Sequence, residues 1–313
     1  MRILVTGATG FVGTALLRQL IADGRSVARA TVRLEANALP AGIERVVAGD
    51  LDDLNRGADW RPALAGMDAV VHLAARVHVM REAVDDPLTA FRRINVAATL
   101  ALARQAAAAG VRRFVYLSSI KVNGEAGVYT DHDPPAPADA YGISKHEAEL
   151  GLRQLAHDTG LEVVIIRPPL VYGPGVRANF LSLMRAVARG IPLPLGAVHN
   201  RRSLVALGNL VDFIMICLEH PAAANELFLV SDGEDLSTTD LIRRLARAMD
   251  RPARLIPVPS PLLMAAATLL GKRDVATRLL GSLQVDISKA RRVLHWAPPI
   301  SVDEGLKRAV AAL

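Results

Sequence analysis

The sequence predicts an α/β fold: a doubly wound parallel sheet followed by a smaller mixed α/β unit. Three observations carry that expectation. Apolar runs of strand length alternate with Ala- and Leu-rich stretches of helical period, the pattern of strand–helix–strand units. The first run, Ile3-Leu4-Val5, passes through Gly7, Gly10 and Gly13 into TALLRQLIADG, whose apolar spacing is helical. Near residue 170 the pattern shifts to short elements rich in Pro and Arg. The expected units are therefore 1–170 and 171–313, with some later elements returning to the first. At 313 residues, 51% apolar, the chain can bury a large core.

The opening segment, TGATGFVG, is a strand, a glycine turn and a helix start. A turn without Cβ atoms lets a pyrophosphate approach the backbone, and the following helix offers free N–H groups at the positive end of its dipole. Gly7 makes the turn, Gly10 the close approach and Gly13 the tight helix-to-strand packing, with Thr9, Phe11 and Val12 completing the cofactor-facing loop. The spacing is GxxGxxG and not the general GxGxxG. A Rossmann-type dinucleotide fold is the expectation.

Val27 to Arg33 reads as the second strand. The residue ending it, about twenty after the glycines, reads the adenosine ribose: an acid bonds the 2′-hydroxyl, an arginine a 2′-phosphate. Val32 stands at or beside the acid position and Arg33 follows, which favours NADP(H) over NAD(H); Glu35 serves the ribose if the register shifts. Ile43 to Gly49 makes the third strand, after which Asp50 and Leu51 either hold an adenine or simply cap a turn. Ala69 to Ala75 is the fourth, where the small ending Leu73-Ala74-Ala75 permits close approach to a cofactor and His72 reads as a packed core histidine. A helix spans Asn95 to Ala109, stopped by Gly110.

Phe114 to Leu117 is the fifth strand, with Ser118 and Ser119 at the carboxyl edge where open α/β sheets bind ligands. A Pro-rich loop leads to Tyr141-Gly-Ile-Ser-Lys145, which opens a helix and sets Tyr141 and Lys145 one turn apart on one face. Leu161 to Ile166 is the sixth strand, ended by Arg167-Pro168-Pro169. Beyond it the expected elements are a helix from about Asn179 to Arg189, strands at 191–196, 201–205 and 226–230, helices at 210–219 and from Thr238, and an amphipathic tail.

The bulk chemistry excludes several classes. The net charge of +6 is spread along the chain as scattered arginines without interleaved aromatics, so nucleic-acid binding is not expected. The single cysteine, Cys217, permits no disulfide framework or thiolate metal site and sits in an apolar helical pattern as an inert thiol; no metal is expected. No signal peptide is expected before the first strand, and the longest lipid-like run, Leu262 to Leu270, is too short to span a bilayer. That run is expected as a core-facing helix, with a seat on a membrane or a partner as the alternative, and the protein as soluble and cytoplasmic.

Hydride exchange with a nicotinamide creates or consumes an alcohol, so a group must move the hydroxyl proton. A tyrosine hydroxyl, with a pKa of about 10, is a poor base at neutral pH. A nearby ammonium favours its phenolate. Tyr141 and Lys145 supply that pair, and Ser119 at the adjoining strand end can hold the same substrate oxygen.

With these residues in place, the chain resembles the extended short-chain dehydrogenase/reductases, specifically the NAD-dependent epimerase/dehydratase branch, over essentially its whole length. TGATGFVG is similar to that family's cofactor loop, HLAA to its fourth-strand ending, SSIKVNGE to its catalytic serine segment, YGISK to its YxxxK motif, RPPLVYGPG to the stretch after its sixth strand, and VDISKARRVLHW to its C-terminal segment. The resemblance implies catalytic Ser119, Tyr141 and Lys145, the lysine also holding the nicotinamide ribose, with Asn95 and Pro168 among the cofactor contacts. It also implies a nucleotide-diphosphate sugar, UDP-linked, touched by Ser119, Asn179, Arg202 and Arg278, and a homodimer built through the 98–109 and 144–158 helices. Two departures matter: Asn123 stands where many members have tyrosine, and Val32-Arg33 replaces the acid of an NAD-retaining epimerase. Ile120-Lys121 replaces the acidic pair a dehydratase needs. VHLAARVHVM and SSIKVNGE resemble the sugar 4-reductases of bacterial O-antigen pathways. The expected activity is NADP(H)-dependent reduction of a UDP-4-keto sugar, with a UDP-hexose 4-epimerase retaining NAD as the alternative and a non-catalytic NAD(P) sensor the distant one.

Overall fold

The computed structural model describes residues 1–35, 38–77 and 86–313. In chain order β1 (Arg2–Thr6) runs into α1 (Phe11–Asp23), followed by β2 (Val27–Val32), β3 (Glu44–Val47), the short α2 (Arg61–Leu64) and β4 (Ala69–His72). Then come α3 (Pro87–Phe91), a π-helical segment (Arg92–Ala98), α4 (Thr99–Ala108), β5 (Arg113–Leu117), β6 (Gly127–Tyr129), α5 (Ala140–Thr159), β7 (Glu162–Arg167) and β8 (Leu170–Tyr172). The remainder comprises α6 (Ala178–Ala188), β9 (Arg202–Ala206), α7 (Leu207–Glu219), β10 (Leu227–Leu229), β11 (Asp235–Leu236), α8 (Thr238–Ala248), α9 (Ser260–Leu269), α10 (Arg273–Leu280), β12 (Leu283–Val285), α11 (Ser288–Leu294) and α12 (Val302–Ala311).

The main sheet has seven strands in the order β10-β7-β5-β4-β1-β2-β3, all paired in parallel. Its strands read as continuous apolar runs because helices cover both faces: every residue of β4 is buried, as are Phe114, Val115 and Tyr116 of β5. The chain leaves β1 toward β2 and β3 and then crosses back to β4 on the other side. The resulting crevice between β1 and β4 is where such sheets bind ligands. β10, from late in the chain, completes the far edge beside β7.

The second sheet joins β11, β9, β12 and β6, with β8 paired to β9. Its own core contains Tyr172, Phe180, Met184, Leu204, Leu236, Ile242, Leu245 and Leu306. The Tyr172 hydroxyl donates to Asp232 Oδ2 at 2.8 Å, and Gly305 lets α12 approach that ring, since a Cβ there would lie 2.7 Å from the hydroxyl.

Three expectations change. Residues 191–196 make only an isolated bridge, Leu193 to Leu255, because Pro192 and Pro194 have no N–H to donate to a ladder. The Asn95 helix begins as a π-helical turn before settling into α4. The 262–270 run does form a helix, α9, but not a core-facing one: none of its residues is buried. It pairs with α10 at the edge of the second unit, outside both hydrophobic cores, so apolar composition alone did not place it. Of the segment 71–80 quoted for the 4-reductase likeness, residues 78–80 lie outside the described residues.

Candidate active site

The glycine turn after β1 is shaped by close approach. Gly7 adopts φ +65°, and a Cβ on it would lie 2.7 Å from the Ala74 backbone nitrogen and 2.8 Å from the Leu73 carbonyl carbon. A Cβ on Gly13 would sit 2.2 Å from the Gly7 carbonyl oxygen. Backbone is on both sides, so neither position tolerates a side chain. Helix α1 starts at Gly10 with no capping side chain and no acid in its first turn. Its first N–H groups face outward for an anion, while Thr9 is exposed and Phe11 and Val12 are half-buried around them. These features fit a dinucleotide pyrophosphate.

The β4 ending lies directly against this turn: Leu73 N donates to Thr6 O and Ala74 N to Thr6 Oγ1, both at 3.3 Å. Ala75 follows, half-buried. His72 is fully buried, hydrogen-bonded through Nδ1 to Thr6 at 2.7 Å and through Nε2 to Thr99 at 3.0 Å. Burial first, and Lys145 second, push its pKa down to about 3, so it is a neutral core residue as the sequence suggests.

At the end of β2 the Arg33 guanidinium is 76% exposed and lies 3.5 Å from Asp50 Oδ2. Asp50 serves as the cap of the 3-10 turn Leu51–Arg56: its carboxylate accepts from Asp52 N at 3.0 Å, and Asp53 returns a bond to Asp50 N at 2.9 Å. Leu51 is buried. Glu35 is drawn instead to Arg45, at 3.1 Å.

Ser119, Tyr141 and Lys145 meet where β5 and α5 converge. Ser119 opens the 3-10 turn Ile120–Val122, its Oγ accepting from Lys121 N at 3.3 Å. Asp139 caps α5 by accepting from Gly142 N at 2.7 Å, which sets Tyr141 in the first turn. Gly142 is required there, since a Cβ would lie 2.7 Å from the Lys121 carbonyl oxygen. The Tyr141 ring packs edge-on against Phe91, 6.0 Å between centroids. Burial, then the Asp139 charge, raise the Tyr141 pKa above its ordinary value, and a hydrogen bond with Ser119 acts the other way. Lys145 is buried, its ammonium donating to Leu117 O at 2.9 Å and lying 4.5 Å from the Tyr116 ring centre and 5.9 Å from that of Tyr141. Burial pushes its pKa down to about 7, and Glu149 pulls it back up. Asn95 Nδ2 donates to Ser144 Oγ and to the Arg76 carbonyl, both at 3.0 Å, tying the β4 side to α5. The Pro168 carbonyl accepts from Ile120 N at 3.0 Å, tying the β7 ending to the serine turn.

Sequence reasoning missed the charged network beneath this face. Glu149, one turn beyond Lys145, forms a fully buried pair with Arg167: Arg167 Nε donates to Oε1 at 2.9 Å and Nη2 to Oε2. Ser118 Oγ also donates to Glu149. Arg167 Nη1 reaches Asn123 Oδ1 at 2.8 Å, which gives the residue standing in the tyrosine position a structural role. The 141, 145, 149 spacing on one helix face was the available signal for Glu149. No local pattern announces Arg167 or Asn123.

The expected sugar-side residues are less gathered. Arg202 Nη1 donates to the Arg278 carbonyl at 2.7 Å and the Gly281 carbonyl at 3.1 Å, so those two meet through backbone, and burial lowers the Arg202 pKa. The Arg278 side chain is exposed. Asn179 lies exposed in the first turn of α6, on a separate element. Among the described residues no cluster of three His, Cys, Asp or Glu side chains could hold a metal ion, and Cys217 is buried with its thiol pKa pushed up by burial.

Residues 3–231 match the NAD dependent epimerase/dehydratase family. The chain is 47% identical over 315 residues to a UDP-glucose 4-epimerase of Vibrio cholerae, covering 99% of this chain and 94% of that one. It is 29% identical over 325 residues to the N-acetyl-alpha-D-glucosaminyl-diphospho-ditrans,octacis-undecaprenol 4-epimerase of Escherichia coli O157:H7, covering 98% and 94%. Among solved structures, MoeE5 in complex with UDP-glucose and NAD superposes with a TM-score of 0.79 at 27% identity, covering 100% of this chain and 98% of that one.

Proposed function

Because the chain belongs to the NAD dependent epimerase/dehydratase family, we propose that it reduces the C4 ketone of a UDP-linked sugar with NADP(H). The observation that carries the reductase reading is the end of β2, where Val32 is followed by the exposed Arg33 and the nearest acid, Asp50, is engaged as a turn cap. The exposed guanidinium there, held only at 3.5 Å from Asp50 Oδ2, suits a 2′-phosphate that takes it over from that carboxylate. A net reductase must exchange its cofactor at each turnover, which NADPH serves. UDP-linked substrates are supported by the relatives and by MoeE5 with UDP-glucose.

The bound nicotinamide supplies the hydride. Ser119 hydrogen-bonds the C4 carbonyl oxygen and holds it beside Tyr141. As negative charge develops on that oxygen, the Tyr141 hydroxyl transfers its proton to it. The phenolate left behind is stabilised by the Lys145 ammonium and then takes a proton from solvent. Glu149 favours the charged form of Lys145 against its burial. In this reading Arg202 binds the substrate diphosphate. The E. coli relative's named substrate carries its sugar through a diphosphate too, so one diphosphate-binding arginine suits either linkage. Dimerisation through the outer faces of α4 and α5, where Leu150 is exposed, completes the reading.

A second reading, a UDP-hexose 4-epimerase retaining NAD, is favoured by the Vibrio cholerae relative. Calorimetry on cofactor-stripped protein separates the two. Clear NADPH preference, falling about tenfold or more in Arg33→Ala, is expected for the reductase, since a bond to a charged group contributes about 1.5–3 kcal/mol. Tight NAD binding indifferent to that substitution makes the epimerase the better reading.

A further inference from the structure

We propose that the α9–α10 hairpin docks the protein on an anionic phospholipid bilayer. Helix α9 reads Pro261-Leu-Leu-Met-Ala-Ala-Ala-Thr-Leu269 after its first serine, and none of its residues is buried. Leu262 is 61% exposed, Leu269 89% and Leu270 72%. Leu262, Ala266 and Leu269 recur at helical spacing and share one outward face. Val275 of α10 and Ile256 just before α9 are exposed as well. Monomeric soluble surfaces scatter such residues singly; a contiguous set marks a contact.

Charge identifies the contact. From Arg251 to Gly281 the chain carries Arg251, Arg254, Lys272, Arg273 and Arg278 against one acid, Asp274. Lys272 and Arg273 are exposed in the turn directly after the apolar helix. Apolar side chains flanked by cations suit the boundary between acyl chains and anionic headgroups. A second copy of the chain would bring the same cations face to face. At ten residues the helix is far too short to cross a bilayer and long enough to lie in its interface.

The hairpin is also firmly attached to the fold. Asn200 Nδ2 donates to the carbonyls of Leu279 and Gly281, Thr238 Oγ1 to that of Leu279, and Arg202 to those of Arg278 and Gly281. The inference does not depend on whether the protein reduces or epimerises its sugar.

Sedimentation of the full chain with vesicles tests it. Binding to vesicles of equal parts phosphatidylglycerol and phosphatidylcholine, little to pure phosphatidylcholine, and release at high salt are expected. Leu262→Glu/Leu269→Glu should weaken binding at least about tenfold, and Lys272→Glu/Arg273→Glu about as much, with calorimetric cofactor binding unchanged in both as the check of folding. No binding to the anionic vesicles, or equal binding by wild type and the charge-reversed variant, would overturn the proposal. So would light scattering that shows a self-associated particle dissociated by the leucine variant.

Discussion

Two helices of this molecule invert the usual relation between composition and burial. Helix α5 is rich in polar residues yet buries Ser144, Lys145 and Glu149 beside the sheet. Helix α9 is almost wholly apolar yet buries nothing. The difference lies in what each helix faces. α5 packs against the parallel sheet at its carboxyl edge, where Ser118 and Arg167 meet Glu149 and the Leu117 carbonyl meets Lys145, while Ser144 is met by Asn95 and the Tyr141 carbonyl. α9 belongs to neither hydrophobic core, and among the described residues the short α10 is its main neighbour. Burial follows position in the layered architecture, and polar groups survive burial only where partners meet them.

The contrast can be broken or sharpened by substitution. The largest effect is expected at the N-terminal end of the α5 face. Tyr141→Phe removes the proton donor and should cut turnover about a thousandfold, within the usual span for general acid–base groups, while the thermal midpoint barely moves; steady-state rates and calorimetry on the same sample check it. Deeper on the same face, Glu149→Ala leaves the Arg167 charge buried without its partner and should cost about 3–5 kcal/mol of stability in denaturant titration. If that variant unfolds like wild type, the buried pair is not what organises the face.

His72, buried neutral behind α4, gives a smaller and pH-dependent effect. Its folded pKa is depressed from 6.5 to about 3, so below 6.5 the unfolded chain binds a proton that the folded one refuses. The stability contributed by the neutral imidazole should therefore be lost by about 1.4 kcal/mol for each pH unit as pH falls from 6.5 toward 3. Denaturation midpoints of wild type and His72→Asn over that range, with the slope reduced in the variant, provide the measurement. The smallest change belongs to α9. Leu269→Ser should alter stability by no more than about 0.5 kcal/mol, because the side chain is already in water; a loss of 2 kcal/mol or more would mean that something covers the helix in solution.

Much of the main sheet was legible in the chain. β1, β2, β5 and β7 appear within a residue or two of their apolar runs, and β4 starts at Ala69 as expected but ends three residues early at His72; parallel strands covered on both faces leave a continuous local signature. Gly7 and Gly13 could be assigned roles from spacing alone, and the structure supplies a cause: a Cβ on either would lie 2.2–2.8 Å from backbone atoms. Tyr141 and Lys145 were legible from helical period. The Glu149–Arg167–Asn123 network was not, since its members sit on three elements up to 44 residues apart.

By itself the sequence determined what is local: the alternation of strand and helix, the glycine turn, and the one-turn spacing of Tyr141 and Lys145. These follow from backbone sterics and helical period, which neighbouring residues set. Only the tertiary structure decided which side chains lose water. It engaged Asp50 as a cap, drew Glu35 to Arg45, closed Arg167 on Glu149, and left the leucines of α9 outside every layer. The physical reason is that desolvation and the partners that offset it depend on which elements meet in space, and residues far apart in the chain make those meetings.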